Sequence, residues 1–449
     1  MSDPGAHVAL LTDLYQLTMA AGYFEAGKSA DRATFELYVR RLPPHRNFIL
    51  AAGLAQAVDY LLNLHFSAEE IAYVRSLPQF ARASSAFFDM LPHLRFTGDL
   101  FAVPEGTPLF PGEPFLTVRA PIIEAQLPET YLLATVGFQS LIATKAARLV
   151  KAAGGRSVVE FGTRRAHSPE AGTLGARAAY IGGCIGTSNT ATGFRYGVPV
   201  FGTAAHSWVM SFPHERAAFV ELQKLLGEQT VYLVDTYDTL EGTREAAALG
   251  RPLWGVRLDS GNLEQLSFKA RRILDDAGLS DAKIFATGDL NEHKIHELMA
   301  ARAPIDAFGV GTDLATSADA PALGVIYKMV EIECGGTRRF TTKLSEEKHT
   351  LPGAKQIFRF PDHDVIGLAT ECISCDRPDV EALQRPVILN GRLVEPLPSA
   401  AQARERAAAS LARLPAPCHS LFEAKNPWRV ELSPELTKLD QRVLREVTL

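Results

Sequence analysis

Residues 253–290 read LWGVRLDSGNLEQLSFKARRILDDAGLSDAKIFATGDL. A short apolar run ends at Asp259, a helical stretch follows, and a second apolar run ends near Asp289. Strand, helix and strand in succession form the unit that builds a parallel sheet with helices on its faces. The same alternation extends outward from this unit in both directions. SVVEF (157–161), YIGGCIGTS (180–188), VPVFGTAAH (198–206), VYLVDTY (231–237), DAFGVGT (306–312) and GVIYKMVEI (324–332) all read as strands. Helical stretches such as ERAAFVELQKLLG separate most of them. About seven or eight such units is the count that closes a (β/α) barrel. The predicted fold class is therefore α/β, with an irregular (β/α) barrel as the central domain.

The strand ends carry the chemistry. Arg164, Ser188, His206, Asp235, Asp259, Asp289 and Thr312 each fall just past a strand-like run. In a parallel barrel those ends share one mouth, where active sites lie.

The flanks follow other patterns. LLTDLYQLTMAAGYFEAG (10–27) reads as an amphipathic helix with Leu11, Leu14, Tyr15, Thr18 and Met19 at helical spacing. ATFELYVRRLP alternates like a strand and stops at Pro43, and residues 49–64 read as a helix. Residues 98–121 suggest short β-structure, and 122–155 a helix leading into the barrel. The segment 345–360 reads as a loop and hairpin, and 399–414 as an Ala/Arg-rich surface helix. The expected division is an N-terminal α+β domain over 1–135, the barrel over 136–345, and a C-terminal segment over 346–449 that packs back on the first domain.

Composition narrows the function classes. The chain has 449 residues, 47% hydrophobic, with a net charge of −5. Neither half is strongly basic, so no nucleic-acid footprint is expected. No uncharged apolar run reaches the roughly 18 residues that a membrane helix needs, and the N-terminus lacks signal-peptide character. Five cysteines is odd and sparse for this length, which suits a reduced, cytoplasmic protein. Cys372 and Cys375 form a CxxC, and Cys418-His419 follows, but without a zinc-site spacing between the halves.

Each loaded end has a bland alternative. Gly309, Gly311 and Thr312 suit a phosphate cradle after a late barrel strand, or simply a tight turn. Arg257 and Asp259 are two apart, so on a strand they share a face; they are mouth residues or a structural ion pair. Asp289 is a site carboxylate or a helix N-cap. Arg164 and Arg165 offer planar forks for an anion, although one could face solvent. Lys328 is a further candidate anion ligand. The HxH pattern of metal-dependent barrel hydrolases is absent. Together these residues favour anionic, phosphorylated substrates, with Mg²⁺ held by carboxylates or pyrophosphate.

Taken in order, LTDLYQLTMA, EFGTRRAH, GTSNTATG, FGTAAHSWVMSF, DTYDTLEG, GVRLDSGNL, ATGDLNE, FGVGTDLATSADAPALGVIYKMVE and KLSEEKHTLPGAKQIFR resemble the motifs of the nicotinate phosphoribosyltransferases, type II phosphoribosyltransferases of NAD synthesis. The likeness covers residues 10 to about 360; the segment after 370 carries none of these motifs. It implies transfer of phosphoribose from 5-phosphoribosyl 1-pyrophosphate (PRPP) to nicotinate, with ATP as co-substrate and His206 as the transiently phosphorylated histidine. It further implies Asp235 and Asp259 as carboxylates around that histidine and the ribose–Mg²⁺ site, with Mg²⁺ carried by Asp259 or by the pyrophosphate. Thr203, Arg257 and Arg164 fall at nicotinate-pocket positions. Gly309, Gly311 and Thr312 fall at the 5-phosphate cradle, and Asp289 at a further substrate position.

Tyr15 corresponds to an aromatic that stacks on the pyridine from a partner subunit, with Asp13 beside it, so a homodimer with shared sites is expected. Nicotinamide-using relatives carry an acid near the position of Ser188-Asn189. Neutral residues there favour the nicotinate carboxylate. Quinolinate phosphoribosyltransferase shares the fold, but is a much shorter chain without the phosphohistidine motif. A non-catalytic nucleotide-binding protein would have lost some of these residues, and every one is present.

Overall fold

The computed structural model describes residues 8–344, 349–375, 377–422 and 427–448. The chain divides into two compact units. One comprises Leu141–Pro321 and Ser399–Ala408; the rest of the chain forms the other.

The first unit is the α/β barrel. Its strands are β1 (Ser157–Glu160), β2 (Gly186–Thr187), β3 (Val231–Leu233), β4 (Gly255–Leu258), β5 (Lys283–Ala286) and β6 (Ala307–Val310). All neighbours are parallel, in the order β2-β1-β6-β5-β4-β3. The first strand pairs with the last, Ser157 with Ala307 through Glu160 with Val310. That pairing curls the sheet into a barrel; an open doubly wound sheet would leave those strands apart. The ring stays open only between β2 and β3.

The opening has a local cause. Residues 198–206 were expected to supply a strand there, yet the chain forms only a single bridge, Thr187 with Val200. Pro199 has no N–H to donate, and Gly202 follows three residues later. Six parallel strands result, fewer than the expected seven or eight. GVIYKMVEI also leaves the count. Val325–Cys334 is a strand of the other unit, antiparallel to Arg32–Val39. Gly335 and Gly336, both at positive φ, turn it directly into Thr337–Phe340.

Caps and burial explain the helices between barrel strands. The Asn262 side chain accepts from the Gln265 N–H at 3.0 Å and starts Leu263–Asp276, which buries Ser267, Ala270 and Leu274. Asn291 caps Glu292–Ala300 by accepting from the His293 and Lys294 N–H groups. Asp289 is therefore not the cap. It sits at φ 44° beyond Gly288, where an added Cβ would lie 1.9 Å from the Asp259 carbonyl oxygen. Only glycine lets the β5 loop pass so close to the β4 loop.

In the second unit a seven-stranded sheet has Arg32–Val39 near its centre, paired on one edge with Val325–Cys334 and on the other with Pro114–Pro121. Phe35, Leu37, Leu116, Val118, Tyr327 and Ile332 pack in its core. The C-terminal segment packs back as expected: Arg385–Leu389 pairs antiparallel with Asp99–Ala102. The hairpin expected over 345–360 forms later, between Lys355–Arg359 and His363–Leu368, and residues 345–348 lie outside the described residues. Helix Leu14–Glu25 is present, but its buried face is Gln16, Leu17, Ala20 and Ala21. Gln16 turns inward because it donates to the Glu129 carboxylate at 2.8 Å and accepts from Gln126 at 2.6 Å. Leu11, Leu14 and Tyr15, the expected inner face, are exposed instead. Among the described residues no helix is long and apolar enough to cross a membrane.

Candidate active site

The centre of the barrel mouth is built on β4. Arg257 and Asp259 do share a face, and Arg257 Nη2 donates to Asp259 Oδ1 at 2.7 Å. The guanidinium is otherwise spent on its surroundings: Nε donates to Thr287 Oγ1 at 2.8 Å, and Nη1 to Thr203 Oγ1 at 3.0 Å and the Ala204 carbonyl at 3.3 Å. Thr287 passes its own proton on to Asp259 Oδ1. Of the five N–H bonds an arginine carries, this leaves one for a ligand. Burial works against the Asp259 charge, but the Thr287 hydroxyl and the Arg257 guanidinium more than offset it and hold the carboxyl below its ordinary range.

His206 begins the short helix His206–Met210. Its Nδ1 lies 3.2 Å from Thr236 Oγ1, and its Nε2 lies 3.7 Å from Asp259 Oδ2. The ring is 42% exposed, so a substrate has access to it. Asp235 does not orient the histidine directly. Its Oδ2 accepts from the Asp259 N–H at 3.1 Å and from Ser260 Oγ at 2.6 Å, so it fixes the Asp259 loop. Its Oδ1 is buried without a hydrogen-bond partner. Glu215 lies on the same acidic side. Burial, then the charges of Glu245, Asp235 and Asp238, push its carboxyl up to about 7.

The remaining expected residues separate into exposed and structural. Gly311 and Thr312 form the turn into helix Thr312–Ala315, with Thr312 exposed. Gly309 is not in that turn; it is a buried residue of β6. A Cβ there would come within 2.6 Å of Thr287 Cγ2 and 2.8 Å of Phe161 Cδ2, so its missing side chain makes room for Phe161. Asn189 is buried and caps helix Thr190–Tyr196 by accepting from the Thr192 N–H at 2.8 Å. That leaves Ser188, half-buried, as the neutral residue at the β2 end. Arg164 and Arg165 are both exposed, in the turn Thr163–Arg165, and Asp289 is exposed. Tyr15 and Asp13 belong to the other unit. Asp13 accepts from Thr130 Oγ1 at 2.8 Å, and Tyr15 is 48% exposed. Lys328 lies within strand Val325–Cys334 opposite Glu36 rather than at a barrel strand end.

Two residues escaped the sequence reading. Phe161, just past β1, has the Arg257 guanidinium 5.9 Å from its ring centroid. It heads a cavity of about 460 Å³ that runs inside the barrel past Thr203, Val159, Val231 and Phe285. Barrel interiors are usually filled by layers of branched side chains. Here Ala307 and short strands leave space, and no residue that lines it is charged. Glu160 is the second. Buried at the end of β1, it accepts from the Gly162 N–H and, at 2.5 Å, from Thr187 Oγ1. Burial raises its pKa. It ties the β1 loop to the β2 loop beside Ser188.

Cys372 and Cys375 are joined as a disulfide, contrary to the expected reduced state, and buried Cys418 points its Sγ at the Pro427 carbonyl. Among the described residues no cluster of three or more potential ligands could hold a metal.

Comparison with known proteins agrees with this geometry. Residues 10–137, 156–343 and 355–440 match, in turn, the nicotinate phosphoribosyltransferase (NAPRTase) N-terminal domain, the NAPRTase family and the NAPRTase C-terminal domain. The third match corrects the expectation that the segment after 370 lies outside the resemblance. A nicotinate phosphoribosyltransferase of Mycobacterium tuberculosis is 43% identical over 435 residues, 95% of this chain and 92% of its own length. One from Bacillus subtilis is 45% identical over 361 residues, 78% of this chain and 73% of its own. The crystal structure of human nicotinic acid phosphoribosyltransferase superposes with a TM-score of 0.84 at 31% identity, covering 97% of this chain and 100% of that one. With a barrel mouth of Arg257, Asp259 and His206, and these matches along nearly its whole length, the chain belongs to the nicotinate phosphoribosyltransferase family.

Proposed function

We propose that the protein transfers the phosphoribosyl group of PRPP to nicotinate, releasing nicotinate mononucleotide and pyrophosphate, and couples this to ATP hydrolysis through phosphorylation of His206. The observation that carries the reading is an Arg–carboxylate–histidine cluster at the strand ends, linked through Thr203 to an uncharged, aromatic-walled cavity inside the barrel.

The pyridine nitrogen already has a free lone pair, so the transfer needs no general base. It attacks ribose C1 as the C1–O bond to pyrophosphate breaks. Positive charge grows at C1, and in this reading the Asp259 carboxylate stabilises it. Phe161 offers a face for the ring, and the spare Arg257 N–H meets the nicotinate carboxylate. In the coupled step, an Nδ1–H tautomer donating to Thr236 leaves Nε2 free to attack the γ-phosphorus of ATP. An N–P bond forms, the bond to the β-phosphate oxygen breaks, and ADP departs.

The residues fit Mg²⁺ in its usual manner, one or two carboxylates plus substrate phosphates. Asp235 Oδ1 is a buried, unpartnered oxygen, and Asp259 stands next to it in the network. Asp259 together with the pyrophosphate would hold the ion, which would neutralise charge on the leaving group.

Substrate choice is testable at Ser188. Wild type is expected to prefer nicotinate over nicotinamide when both are present at equal concentration. Ser188→Asp is expected to lower kcat/KM for nicotinate by about ten-fold or more, because a desolvated carboxylate opposes the substrate's own. A wild type that prefers nicotinamide would refute the assignment of the base.

Exposed Leu11, Leu14 and Tyr15 support a homodimer in which a second copy covers this face and lends Tyr15 to the site. Tyr15→Ala and Asp259→Asn proteins, each impaired alone, should regain a substantial part of the activity when unfolded together and refolded as mixed dimers. Activity that never exceeds the sum of the separate variants would show that each site is built from one chain.

A further inference from the structure

We propose that Lys145 is a positioning residue that holds the phosphoribosyl side of the site in register by clamping the β5 and β6 loops to one point. This rests on the reading of Asp289 and Gly311–Thr312 as PRPP-facing residues. Lys145 lies on helix Glu129–Ala152 and is 2% exposed. Its Nζ donates to Asp319 Oδ1 at 2.9 Å and stands 2.6 Å from Asp313 Oδ1. Glu292 Oε2 is also 2.6 Å away, a direct charge contact without hydrogen-bond geometry. Arg148, one turn along the same helix, donates from Nε to Glu292 Oε1 at 2.9 Å.

The three carboxylates come from the two loops that matter. Glu292 opens the helix after Asp289. Asp313 follows Thr312, and Asp319 ends the same segment. An ammonium carries three N–H bonds, and three carboxylates surround this one. Its charge is directed at these three carboxylates, all within 2.9 Å, and its effect on substrate is exerted through the loops. Burial alone would discharge it. The charges around it, Glu292 foremost, more than compensate, so its pKa is raised while that of Glu292 is lowered. Without the ammonium, three carboxylates would face one another, and like charges at this spacing push apart. The turn at Gly311–Thr312 and the Asp289 loop would then move together. Phe161, Thr203 and Arg257, which face the base, have their own partners.

The test is a split between the two Michaelis constants. Lys145→Met is measured at saturating ATP against varied PRPP and varied nicotinate, together with its thermal midpoint. The KM for PRPP is expected to rise about ten-fold or more, while that for nicotinate stays within about two-fold. Lys145→Arg should recover part of the loss. Asp319→Asn keeps the ammonium and frees only its outer anchor, and should raise the KM for PRPP about three-fold; it carries the test if Lys145→Met does not fold. Both constants moving equally, or a lower thermal midpoint with both unchanged, overturns the proposal. A wild type with no PRPP-dependent turnover of nicotinate removes the functional reading itself, and the clamp with it.

Discussion

His206→Ala is expected to abolish acid-labile labelling of the protein by γ-labelled ATP and to lower the ATP-dependent rate by roughly two orders of magnitude or more, the scale on which loss of a reacting side chain is felt. The geometry also specifies the product. Thr236 Oγ1 lies 3.2 Å from Nδ1, and Nε2 is on the Asp259 side of an open ring. Phosphate should therefore be carried on Nε2, which phosphorus NMR of the labelled wild type can distinguish from Nδ1. In the proposed mechanism the reactive form is a neutral imidazole in the Nδ1–H tautomer, with Thr236 Oγ1 as the acceptor. Stable labelling of His206→Ala, or phosphate on Nδ1 in wild type, would contradict this account.

The unit at 253–290 was legible because both of its strands and the helix between them carry clean, separate patterns, and each helix brings its own cap in Asn262 and Asn291. The barrel count was less legible. Alternation in 325–334 identifies a strand but not the direction of its partner, and the Gly335-Gly336 turn was the available signal for an antiparallel hairpin. In 198–206, Pro199 argued against a paired strand from the start. The site residues show the same division. Arg257 and Asp259 could be placed from their two-residue spacing alone. Asn189 was credited to the ligand, although Asn followed three residues later by Thr192, whose N–H it accepts, is the arrangement of an N-cap. Phe161 was hidden because an aromatic at a strand end looks like core until the barrel is seen to be hollow. Glu160 was hidden for the opposite reason: a buried carboxylate in a β-strand declares itself only through Gly162, just past β1, and Thr187, the last residue of β2. The face of helix Leu14–Glu25 was misassigned because Gln16 is polar yet buried, a choice dictated by Glu129 and Gln126, more than a hundred residues away in sequence.

Asp259→Asn should be the most damaging conservative change in the barrel, lowering kcat/KM by about 10²–10³, the range found when one preorganised electrostatic group is removed. The substitution preserves shape, so its effect isolates charge. It removes the countercharge of Arg257 Nη2 and the anion facing His206, while an amide oxygen can still accept from Thr287. In the proposed mechanism it also removes the negative charge offered to ribose C1 and to Mg²⁺. The pH dependence separates these roles from simple folding. The folded carboxyl is held below its ordinary range, so the folded protein binds its proton less readily than the unfolded chain does. The stabilisation it supplies is therefore fully present above the unfolded value near 3.8 and is lost as pH falls through the lower folded value. Asp259 stays ionised across the neutral range, so it contributes no titration to the rate there. The pH profile of Asp259→Asn should keep the wild-type shape between pH 6 and 9 at a much reduced height, while its stability loses the acid-dependent component that wild type shows below about pH 4. A loss under ten-fold, or a profile whose neutral limb disappears with the carboxylate, would mean that the charge at this position is not what the reaction uses.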